Sequence, residues 1–139
     1  MYDPYSLNVW NEDRFYGNIF HRIKMFFKCL RWSYQRIVRG YADIDVWSLD
    51  WFYSKLFINT LHHLADHHCG IPQEFSDTIN ENPDGWARWL CDTAHCFEEA
   101  DRLEDTINLD NHKRVQKEID DWRKEGLHRM GNYWGNLWD

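Results

Sequence analysis

An all-α fold is predicted by three features of the chain. Apolar residues recur at three- and four-residue steps over long segments. No run alternates apolar and polar residues in the way a strand requires. Three prolines and seven glycines punctuate the chain sparsely and divide the periodic segments from one another. At 139 residues the chain has the size of one domain, residues 1–139, able to bury a core. The expected architecture is a compact bundle of about four main helices with an irregular aromatic C-terminal tail.

The elements follow in order. In "NIFHRIKMFFKCLRWSYQRIVRG", Ile19, Ile23, Phe26, Phe27, Leu30, Tyr34, Ile37 and Val38 form one apolar stripe. Gly40 ends that helix, with Arg36 and Arg39 placed to favour the negative end of its dipole. A second helix is expected from about Asp45, with Asp43 or Asp45 as cap, to Cys69, where Gly70 and Pro72 stop it. Its apolar residues, Trp47, Trp51, Leu61 and Leu64 among them, cover most of its circumference. That predicts the central, most buried helix, packed against Phe26, Leu30, Trp89 and Phe97. "IPQEFSDTINE" reads as a loop. Asn82-Pro83 reads as cap and first residue of a third helix, reaching about residue 107 and burying Trp86, Trp89, Leu90, Phe97, Ala100 and Leu103. A fourth helix begins near Asp110 and uses Val115, Ile119, Trp122 and Leu127. The tail "MGNYWGNLWD" reads as irregular, packed by Trp134 and Trp138.

Charge is divided unevenly. Residues 1–40 hold seven Lys/Arg against three Asp/Glu, a balance of +4; the rest holds nine against twenty, or −11, for a net −7. The acidic body argues against broad nucleic-acid binding, which relies on basic surface. Nine tryptophans can fill a core or mark an interface. The polar start "MYDPYSLNVWNED" lacks the apolar run of a signal peptide, and no stretch is long enough for a transmembrane segment. Cys29, Cys69, Cys91 and Cys96 are irregularly spaced, so reduced thiols in a cytoplasm are the expectation.

The densest chemistry is "LHHLADHHCG". On a helix His63 and His67 share one face, while His62 and Asp66 share another about 100° around. In "CDTAHCFEEA", Cys91 and His95 share a face. Antiparallel helices would let His63, His67, Cys91 and His95 approach as the four ligands of a structural zinc. Against this stand the absence of C-x₂-C or H-E-x-x-H spacing and the plain alternative of imidazoles at a helix C-terminus. Cys96 beside His95 does not make a nucleophile pair, since adjacent helix residues diverge. No G-x-S-x-G or phosphate-cradling glycine loop occurs, so no enzyme is expected. The carboxylates Glu98, Glu99, Asp101, Glu104 and Asp105 read as a solvated face. Arg22, Lys24, Lys28 and Arg31 form a basic face on the first helix. It suits nucleic-acid or membrane attachment, or internal pairing with the acidic body.

"RGYADIDVWSLDWFYSKLFINTLHHL", with "GIP", "GWARWL" and "CFEEA", resembles a group of small uncharacterised phage and prophage proteins. Their pattern is R-G-x-x-D-x-D-x-W-x-L-D, an apolar helix, G-x-P and a Trp helix ending in Phe-Glu. The resemblance runs from about Arg39 to Glu99 and highlights Asp45, Trp47, Leu49, Asp50, Gly70, Pro72 and the Phe97–Glu98 pair, without assigning them a role. It implies a non-enzymatic accessory protein in the host cytoplasm that binds a host macromolecule, most simply a host protein, for takeover or counter-defence. Alternatives are a pocket sequestering a signalling nucleotide, the zinc domain, and nucleic-acid or membrane attachment through the first helix.

Overall fold

The computed structural model describes residues 8–10, 12–78 and 81–137. The fold is all-α, with no strand among the described residues. After a 3-10 turn at Glu12–Phe15 come helices α1 (Ile19–Arg39), α2 (Asp43–Val46), α3 (Leu49–His67), α4 (Gln73–Asp77), α5 (Gly85–Glu104) and α6 (His112–Asn132), then a 3-10 turn at Trp134–Asn136. The chain divides into two compact units, Met1–Tyr53 and Ser54–Asp139.

The second unit has the larger core. Arg123 of α6 bonds Glu104 at 2.5 Å, and Arg129 bonds Thr93 at 3.1 Å, so α5 and α6 run antiparallel. Their loop is tied by side chains: Asn108 accepts from the backbone of Asp110 and Asn111, and the Asn111 amide donates to the Thr106 carbonyl. Leu61, Ala65, Trp86, Leu90, Ala94, Phe97 and Met130 form one cluster, and Ala100, Val115 and Ile119 a second. Leu64 packs partly buried on the first, so the lower half of α3 is core as the sequence predicts. Lys55 pairs with Asp101 at 3.0 Å, another link from α3 to α5.

Five details differ from the sequence reading. The expected helix from Asp45 to Cys69 is broken at Trp47–Ser48 into α2 and α3. Asp45 folds back onto the Ala42 N–H at 2.7 Å, and the Ser48 carbonyl restarts the helix by accepting from Phe52. Trp47, expected in the core, is 89% exposed, Trp51 is half-buried, and Phe26 and Leu30 are exposed. The loop after Gly70 contains α4, begun by the Pro72 carbonyl accepting from Phe75 and Ser76 at 3.0 Å. Asn82 and Pro83 precede α5 in a turn, with Asp84 at the cap position. In the tail, Trp134 is exposed, and Tyr133 and Leu137 pack on the core instead. Trp138 lies outside the described residues.

Candidate interaction surface

α1 is locally well determined. Asn18 accepts the His21 N–H at 2.9 Å, satisfying one of the free amides of the first turn. Gly40 adopts φ 80° and donates to the Arg36 carbonyl at 2.9 Å, the left-handed stop that glycine takes without penalty.

One side of α1 is fastened within its unit. Buried Cys29 donates its thiol to the Val9 carbonyl at 3.0 Å, and the Trp10 indole N–H donates to the Ser33 hydroxyl at 3.0 Å. The Arg14 guanidinium lies over the Trp32 ring, 5.4 Å from its centroid. α2 binds the end of the same helix through charge. Arg36 forks onto Asp45 at 3.0 and 2.5 Å, with Asp45 buried. Arg31 and Arg39 converge on Asp43 at 2.7 and 2.8 Å, and Gln35 exchanges two hydrogen bonds with it. Those bonds, led by the one from Arg39, hold the Asp43 carboxyl below its usual range. The motif residues Arg39, Gly40, Asp43 and Asp45 are therefore a clasp between α1 and α2. The Asp50 side chain is exposed in the first turn of α3.

The other side of α1 is largely open, covered only at its edge, where the Trp10 ring meets Phe26 with centroids 5.5 Å apart. At about 100° per residue, Ile19, Phe20, Ile23, Phe26, Phe27, Leu30, Tyr34, Ile37 and Val38 fall within a stripe about 120° wide. All nine are exposed, from 44% at Leu30 to 84% at Ile37. A soluble surface seldom leaves so continuous an apolar face open. The stripe was legible in the sequence, but periodicity alone does not say whether a stripe faces a core or the outside. Its edges carry the missing signal. α1 contains six Lys/Arg and no Asp or Glu. Arg22 lies beside one edge, and Lys24 and Lys28 lie beyond the other. These three have no carboxylate partner among the described residues, whereas Arg31 is paired.

The imidazoles of the histidine cluster are engaged as follows. Among the described residues no three or more of His, Cys, Asp and Glu are grouped as a metal site, and of His63, His67, Cys91 and His95 the structure pairs His63 with His67. The face of α3 turned to α5 is that of His62, whose Nε2 lies 2.8 Å from Glu98. His95 Nδ1 lies 3.5 Å from the same carboxylate. His63 and His67 stack on each other, and His67 Nδ1 meets the His63 carbonyl at 3.0 Å. His68 Nδ1 meets the Leu64 and Ala65 carbonyls at 3.2 and 3.1 Å. These ring nitrogens meet carbonyls of the last turn of α3, where the Leu64 carbonyl already accepts the His68 N–H. The motif residue Pro72 starts α4, and Glu98 links α5 to α3. Gly70 has neither a positive φ nor a crowded Cβ position, and nothing in the structure requires glycine there.

Two further features have chemical interest, a groove in the second unit and the cysteines of both. Leu56, Phe57, Leu61, Leu64, Met130 and Leu137 line most of an open apolar groove of about 520 Å³. All four cysteines are free thiols, and burial pushes those of Cys29, Cys91 and Cys96 up from their ordinary value. A raised thiol holds less of the nucleophilic thiolate. No helix among the described residues is long and apolar enough to cross a membrane. No protein-family model, curated protein or solved structure matches the chain.

Proposed function

We propose that this is a non-enzymatic binding protein and that α1 is the face it presents to its partner. The observation that carries this reading is the exposed stripe of nine apolar side chains, fastened from behind and open in front except where Trp10 meets Phe26. Raised cysteine pKa values and histidines engaged in helix ends and a carboxylate bond leave neither group set for nucleophilic catalysis. The motif running from Arg39 to Glu99 supports a phage accessory protein acting on a component of its host. A photoreactive benzoylphenylalanine replacing Phe27 tests the reading in bacterial cells. It should form a defined adduct, while the same probe replacing exposed Lys124 on α6 should not. Equal labelling from both positions, or none from either, overturns it.

A further inference from the structure

We infer that the surface α1 engages is an anionic phospholipid bilayer, against which the helix lies flat. The inference rests on α1 being the contact face and deepens it by naming the partner. α1 is about 30 Å long at about 1.5 Å per residue, too polar to span but of the form that lies in the headgroup boundary. Its apolar face is aromatic and aliphatic together, with Phe20, Phe26, Phe27 and Tyr34 among Ile and Leu. Cations stand outside that face on both sides, Arg22 on one and Lys24 and Lys28 on the other. In that arrangement the Lys24 stem, about 40° from the stripe's edge, runs along apolar surface and lifts its ammonium group to phosphate depth, and Lys28, further round, adds its charge above it. The side of α1 away from the stripe holds Val9, Arg14 and Asp45, and Trp10 bonds Ser33 while its ring meets Phe26 at the stripe's edge, 5.5 Å between centroids, so insertion leaves all but that edge contact in place. A second copy of the chain fits less well, because α1 has no acidic residue and a symmetric pairing sets cation against cation. A nucleic acid would take the cations and leave the apolar stripe in water.

The test is sedimentation of the full chain with phosphatidylcholine vesicles, with and without phosphatidylglycerol, across a salt series. The chain should pellet with the anionic vesicles and not with the neutral ones, and added salt should weaken the association. The double variant K24Q/K28Q should bind about 25-fold more weakly, about fivefold for each cation removed at the surface. I23S/F27S should abolish binding while keeping the wild-type circular dichroism and Tm, since both positions are exposed. Failure to pellet with anionic vesicles, equal binding to neutral vesicles, or full binding by I23S/F27S overturns the inference. A single-stranded oligonucleotide bound in place of vesicles overturns it too. A protein adduct from the probe at position 27, with no vesicle binding, overturns the lipid partner and leaves α1 as the contact face. No adduct and no vesicle binding overturns both.

Discussion

Gly126 lies on α6 beneath the Phe97 ring, and a Cβ built there would stand 2.7 Å from two ring carbons. Phe97 is buried and also packs against Phe57, with ring centroids 5.3 Å apart, so the ring has little room to retreat. Gly→Ala inside a helix ordinarily gains up to about 1 kcal/mol, but overpacking a core costs about 1–3 kcal/mol. The close approach decides the sign, and G126A should lower the unfolding free energy in a denaturant titration. Gly131, on the same helix with nothing within 4 Å of its Cβ position, is the control, and G131A should be neutral or stabilising. The core residues Leu90, Phe97, Ala100, Val115 and Ile119 were legible because each sits on a strongly periodic face. The partner of Glu98 was not. His62 and His63 are adjacent in sequence, and only the rotation of α3 against α5 selects His62.

At the scale of elements, the limits of α1 were legible because Gly40 and the two terminal arginines are local signals. The break between α2 and α3 was not, because Asp45 is held by Arg36 nine residues earlier, a tertiary pair that no window of helical periodicity contains. α2 is one short turn, below the length at which a helix persists alone, so its order depends on the clasp. Asp43 supplies a measurable handle on that clasp. Its carboxyl is held below the ordinary 3.8, first by Arg39 and then by Gln35. A depressed carboxylate pKa contributes stability that is complete above the unfolded value. That stability is lost as pH falls through the folded value. The Tm difference between wild type and D43N should therefore be constant above pH about 5 and shrink below pH about 4. A difference that persists unchanged in acid would show that the Asp43 charge does not hold α2 to α1.

At the scale of the whole molecule, the two units are stabilised in different ways. The second buries Trp86, Leu90, Ala94, Phe97 and Ile119 almost completely between long helices. The first rests on a buried ion pair, a few aromatic contacts near its N-terminus and a helix whose widest apolar face is open. Length and composition could not reveal this, since a single core and two units with one open stripe share the same apolar fraction. The difference has a kinetic consequence. Amide exchange proceeds through local openings, and an opening costs less where fewer apolar contacts must be given up. Amides in the middle of α5 and α6 should therefore exchange more slowly than those around Phe26–Leu30, although all three helices are of similar length and comparably hydrogen-bonded. Hydrogen–deuterium exchange read by mass spectrometry resolves these peptides. Adding anionic vesicles should slow exchange in α1, where insertion makes opening more costly, and leave α5 and α6 unchanged. If α1 already exchanges as slowly as α5 and α6 in lipid-free solution, its stripe is covered there, and the open face on which the binding reading depends does not exist.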